Sequence, residues 1–217
     1  MSDIFREVDE EVRRDKALEF WQKHQILMIV AGLIAVGAAG GWRYYQDRQR
    51  AAAEDAGARY ETALQLAREN KPADADAAFQ DIIKQGPPGY ALLAKFRGAA
   101  DLAASDRPKA VAIYDTLAND AAVVPLMQDI ARLRAAMLRL DEADAAELKN
   151  RLEPLAAPGR PFRNTARELL AFAALKAGDM DAAGRWFDAI IVDSQAPQTI
   201  RQRAEALAGL VAAGKTN

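Results

Sequence analysis

From His24 to Trp42 the chain carries no Asp, Glu, Lys or Arg, and this 19-residue run is bounded by Lys23 and Arg43. At about 1.5 Å of rise per residue, a helix of that length reaches across a hydrocarbon core roughly 30 Å thick. The large apolar members are Ile26, Leu27, Met28, Ile29, Val30, Leu33, Ile34 and Val36. Together they favour insertion by about 2–5 kcal/mol, while the glycines and alanines of the run add little. Trp21 precedes the run, and Trp42, Tyr44 and Tyr45 follow it. Aromatic residues at both ends suit the two membrane–water interfaces.

Two other readings compete. Gly37-Ala38-Ala39 could serve as a signal-peptidase site, but a signal h-region runs about 7–15 residues behind a short positive n-region. Here the leader is 23 residues long and has five Lys/Arg against seven Asp/Glu, which favours an uncleaved anchor. A buried core helix of a soluble protein would need a reason to lack a polar face, and none is visible. Orientation is weakly encoded. Arg6, Arg13, Arg14, Lys16 and Lys23 precede the run, and Arg43, Arg48, Arg50 and Arg59 follow it, which is close to a tie under the positive-inside rule. Gly37 and Gly41 form a GxxxG pair, with Ala31, Ala35 and Ala39 at the same spacing, so close helix–helix contact through this face is a candidate. Glycine and alanine are also common in membrane helices that make no such contact.

Beyond residue 50 there are 21 Lys/Arg and 23 Asp/Glu, so no basic footprint for nucleic acid exists. The chain has no cysteine, which excludes disulfides, thiol catalysis and zinc fingers. Abundant alanine and the scarcity of strand-forming runs predict helices throughout. Residues 1–23 read as a charged tail, with Ile4, Phe5, Val8, Val12 and Leu18 giving residues 3–20 the thin apolar stripe of a short amphipathic helix. Residues 24–42 read as the transmembrane helix. Residues 43–217 read as one helical domain, entered by a helix that continues out of the membrane towards Arg68. Breaks are predicted at Asn70–Pro72, Gln85–Gly89, Ser105–Pro108, Asn119–Val124, Leu140–Asp144, Ala157–Pro161 and Gly178–Asp179, and a last helix at about Gln198–Ala213.

These breaks separate similar units. Ala75-x-x-x-Phe79, Ala110-x-x-x-Tyr114 and Ala183-x-x-x-Phe187 each place a small residue four positions before an aromatic. Ala63, Gly98 and Ala171 each lie 12 residues earlier, and Ile82, Leu117 and Ile190 lie three residues beyond each aromatic. Small residues let two antiparallel helices close up, and the aromatic then fills the space towards the next pair. One pair cannot bury its apolar face alone, so pairs must stack. A missing copy is expected within Arg132–Leu155, where Ala136 and Leu152 fit loosely.

The pattern resembles tetratricopeptide repeats, most fully from Ala174 to Phe187, which reads Ala-x-x-x-Gly-Asp-x-x-x-Ala-x-x-x-Phe, and Pro87 stands at the expected end of the first repeat. The layout as a whole, opening Met1-Ser-Asp-Ile-Phe-Arg-Glu-Val-Asp-Glu-Glu-Val-Arg-Arg, resembles the YfgM-type inner-membrane proteins of Gram-negative bacteria. That resemblance implies an all-α chain: an N-terminal transmembrane helix, then a TPR-like solenoid of antiparallel helix pairs. It further implies a cytoplasmic N-terminus, a periplasmic repeat domain, and association with Sec translocon subunits, periplasmic chaperones or exported proteins. The degenerate third repeat and the divergent last helix depart from the pattern and leave partner identity open.

Catalytic signatures are missing. The one histidine, His24, sits at the membrane edge, and Asp141–Glu142 and Asp179–Asp181 fall in breaks, where carboxylates cap helices. No nucleophile elbow, phosphate loop or metalloprotease motif occurs, so neither enzyme nor cofactor is expected. An interaction groove along the first helices is expected instead, with Tyr60, Leu64 and Arg68, then Lys95, Ala99 and Leu102, then Glu168, Phe172 and Lys176 facing it. Such a surface suits an extended or helical peptide. The alternative is a structural subunit or assembly factor of another inner-membrane complex, docked through the anchor and residues 3–20.

Overall fold

A computed structural model of the chain describes residues 2–214, with side chains described at residue 14 and over 21–213. The chain divides into two compact units after Gly57. The first unit is the greater part of helix α1 (Ser2–Arg68), which runs unbroken through the tail, the uncharged run and the exit segment. The residues expected to form an amphipathic stripe, Ile4, Phe5, Val8, Val12 and Leu18, lie outside those whose side chains are described. Along the run nothing is buried. Ile26 is 74% exposed and Val36 73%, unlike the core helix of a soluble protein.

The second unit contains the end of α1 and α2 (Pro72–Gln85), α3 (Pro88–Leu102), α4 (Arg107–Asn119), α5 (Pro125–Arg139), α6 (Ala145–Ala156), α7 (Arg163–Lys176), α8 (Met180–Ile191) and α9 (Gln198–Gly214). No strand occurs among the described residues. From α2 onward each helix packs on the next in sequence, and α7 also touches α5 and α9 two positions away, while the end of α1 packs on α2 through Tyr60 and Phe79. This is the nearest-neighbour stacking of a helical solenoid. Local chemistry sets the boundaries. Proline opens α2, α3, α4 and α5 within the first two positions, where its missing N–H costs nothing. Asp106, Asp144 and Asp179 cap α4, α6 and α8, accepting from the backbone N–H three residues on. Two first helices stop in the same way. Asn70 (φ 59°) after α1 and Gly178 (φ 76°) after α7 take the left-handed conformation. The N–H that follows each bonds back to Leu66 O and Ala174 O, which closes a Schellman turn.

Four buried clusters follow from the repeat. Phe79 and Ile82, Tyr114 and Leu117, and Phe187 and Ile190 are all buried at the expected positions. The third copy, which the sequence shows only loosely, is complete in the structure. Ala136, Leu148, Leu152 and Leu155 are all buried in one cluster. Leu148 stands where the other pairs have alanine, and Leu152 where they have an aromatic. Two leucines carry as many side-chain carbons as alanine plus phenylalanine, so the filled volume is kept while the residue types change. Interiors constrain volume more tightly than identity.

Candidate interaction surface

The residues expected to line the groove divide into three groups. Tyr60 and Leu64 pack into the first cluster. The Tyr60 ring meets Phe79 edge-on at 5.6 Å and Tyr90 at 6.2 Å, and burial raises its phenol pKa. Arg68 is exposed and pairs with Glu61 at 3.3 Å. Lys95, Ala99 and Leu102 come together on one depression. The third group is occupied within the chain. Glu168 is buried and accepts two bonds from Arg203, at 2.9 and 3.0 Å. Phe172 lies between two clusters, edge-on to Phe187 at 6.3 Å. Lys176 donates from Nζ to the carbonyls of Leu140, Asp141 and Ala143 at 3.2, 2.6 and 3.0 Å. A cation there satisfies acceptors left open where α5 ends.

Two depressions are related by the repeat. One, of about 270 Å³, lies over α3 between α2 and α4; Ala94, Gly98 and Ala99 contribute to its lining, with Gln80 and Ile113 on the two flanking helices. The other, of about 480 Å³, lies over α7 between α6 and α8; Ala173, Ala174 and Ala177 contribute to it, with Glu153 and Trp186 on the flanking helices. Aligning the second helices on Ala75, Ala110, Leu148 and Ala183 makes Gln80 and Glu153 equivalent, and likewise Ile113 and Trp186. The matching positions between α4 and α6 are Asp115 and Arg151. These two form a bidentate ion pair, at 2.6 and 3.2 Å, across the gap. Arg151 also reaches Glu147 at 3.0 Å. Arg139 is the main cause holding the Glu147 carboxyl below its ordinary pKa.

A second repeat-encoded device escaped the sequence reading. Arg132, Arg167 and Arg201 stand at the eighth, fifth and fourth positions of α5, α7 and α9. Each donates to carbonyls where a neighbouring helix ends: Arg132 to Ala118 O of α4 at 2.8 Å, Arg167 to Ala156 O of α6 at 3.1 Å and Ala189 O of α8 at 3.0 Å, and Arg201 to Asp193 O just after α8 at 2.8 Å. Guanidinium groups thus answer the carbonyl ends of the helices packed around them. Asp193 gathers Arg163 at 2.6 and 2.9 Å and Arg167 at 3.0 Å. Its carboxyl is held far below the usual range, chiefly by Arg163. The readable signal was Asp129-x-x-Arg132 recurring as Asn164-x-x-Arg167 at a distance of 35 residues.

Among the described residues no three His, Cys, Asp or Glu side chains are placed to hold a metal ion. The surface offers depressions lined by small residues, with charged and aromatic groups on their walls. That suits the docking of another chain's side chains. The model of a family described as a tetratricopeptide repeat-like domain matches residues 18–209. Neither a curated protein nor a solved structure matches the chain.

Proposed function

The chain belongs to the tetratricopeptide repeat-like domain family, and from that premise we propose that it is a membrane-anchored, non-catalytic scaffold of the cell envelope. The family match itself points to protein partners in general. The finer reading is a single-pass inner-membrane protein with its N-terminus in the cytoplasm and its repeats in the periplasm, serving the Sec translocon together with periplasmic chaperones or exported chains. One observation carries it: a single family model spans both the uncharged run and every helix pair, and α1 passes from that run into the first pair without a break. The membrane-spanning portion is residues 24–42, and the repeat domain follows it.

The docking surface we assign is the pair of repeat-related depressions, the first reached through Lys95 and Leu102. Tyr60, Leu64 and Arg68 extend it at the first pair. Glu168, Phe172 and Lys176 already have intramolecular partners, so a ligand at those positions would compete with Arg203, Phe187 and the end of α5. Capture of the tagged full chain after mild solubilisation tests the reading. Recovery of translocon subunits is expected, and recovery of a different inner-membrane complex, lost on deleting residues 3–20, would replace it with the assembly-factor reading.

A further inference from the structure

We propose that the collar Trp42, Arg43, Tyr44, Tyr45, Arg48 and Arg50 binds the headgroups of anionic phospholipids. The proposal rests on the anchoring reading above and adds the class of lipid. The collar begins where the uncharged run ends, and all six side chains are exposed. The one carboxylate between Trp42 and Arg50 is Asp47, and among the described residues none of the three arginines is held in an ion pair. The Arg48 guanidinium carbon lies 5.3 Å from the centroid of the Tyr44 ring. That cation–π contact keeps the charge beside a ring of the kind that settles at headgroup level. A guanidinium fork also matches the two free oxygens of a phosphodiester.

The arrangement favours lipid over a protein occupant. With 3.6 residues per turn, Arg43 and Arg50 fall on one side of α1, Arg48 and Tyr44 on another, and Tyr45 and Trp42 between them. Charge and aromatic rings therefore encircle the helix, as lipids do, and do not mark out one face for a partner. The other end of the run is sparser, with Trp21, Lys23 and His24.

The test is native mass spectrometry of the full chain in detergent with equimolar phosphatidylglycerol and phosphatidylcholine of matched acyl chains. Retained phosphatidylglycerol should exceed phosphatidylcholine by about fivefold or more, the equivalent of one arginine at an anionic surface. The preference should fall to parity in R43Q/R48Q/R50Q, with far-UV circular dichroism unchanged, and survive in Lys23→Gln. Parity in the wild-type chain, a preference that persists in the triple variant, or loss of preference in Lys23→Gln would each overturn the collar. So would a chain retaining neither lipid because a second copy covers the helix, visible as a dimer mass. Release of the chain from membranes by alkaline carbonate is a separate failure, which removes the anchoring reading and this proposal with it.

Discussion

If Leu148 and Leu152 hold the slots of the alanine and the aromatic, their effects on stability must be coupled. Both side chains are wholly buried in the cluster joining α5, α6 and α7. Truncating Leu148 to alanine leaves a cavity and should cost about 3–5 kcal/mol. Enlarging Leu152 to phenylalanine in the native packing should cost about 1–3 kcal/mol. The two positions are one helical turn apart, so in the double variant the ring can enter the space that the first substitution vacates. Leu148→Ala/Leu152→Phe then reproduces the pairing found at Ala75 and Phe79. The predicted coupling is at least about 2 kcal/mol in the stabilising direction, within the range measured for residues in contact. For a unit of this size that is about 4–8 °C in Tm above the additive expectation. Urea unfolding of the full chain in mild detergent, followed at helical wavelengths, gives all four corners of the cycle. Additivity within about 0.5 kcal/mol would refute the equivalence of this pair to the other three.

Two further outcomes follow from the capping and charge arrangement. The folded pKa values of Asp193 and Glu147 lie below their unfolded values. The stability they contribute is therefore fully present above the unfolded pKa values, near pH 4, and is lost as the pH falls from there towards the folded values, because the unfolded chain takes up the protons first. The urea midpoint should drop below about pH 4, and Asp193→Asn should flatten that slope; a slope unchanged in the variant would remove the Arg163–Asp193 contact from the account. Asp179→Ala removes the cap on the Ala182 N–H, 2.8 Å away, and should lower stability by about 1 kcal/mol in the same urea titration; an unchanged midpoint would show that the cap contributes nothing.

Much of the fold was legible because its punctuation is chemical. Pro72, Pro88, Pro108 and Pro125 open helices where their position in the sequence says they should, and Gly178 stops one. The third pair was hard to read because its two key positions hold neither a small residue nor an aromatic. Leu148 and Leu152 conserve neither type, only the summed volume, and volume is a property of the packed pair. The candidate surface was less legible for a different reason. Lys176 and Glu168 recur at the same register as Arg68 and Tyr60, but a side chain's register does not say whether a neighbour already binds it. Three carbonyls at the end of α5 claim Lys176, and Arg203 from α9 claims Glu168. As residue types, Arg132 and Arg167 announce no partner, although they complete the ends of α4, α6 and α8. Within α1, the charged tail and the apolar run differ in composition, which suggested separate segments, yet neither proline nor a helix stop lies between them and the helix runs on.

The repeat symmetry also indicates how to test the docking surface without disturbing the fold. Between α4 and α6 the gap is spanned by Asp115 and Arg151, whose side chains keep about a third of their exposure; between α2 and α4 the same positions hold Gln80 and Ile113 and the depression stands open. Gln80→Asp/Ile113→Arg would build the middle pair's bridge into the first gap. Half-exposed ion pairs contribute about 0–1 kcal/mol, and Ile113 is only partly buried, so the variant should stay folded, with its stability changed by no more than about 2 kcal/mol. Trp186→Arg, opposite Glu153, is the poorer test, because Trp186 packs against two clusters and its loss would unsettle both. With the new bridge in place, a partner that docks through the first depression must displace it, and its recovery with the tagged chain should fall several-fold. Undiminished recovery from a folded variant would show that partners bind elsewhere than the first depression.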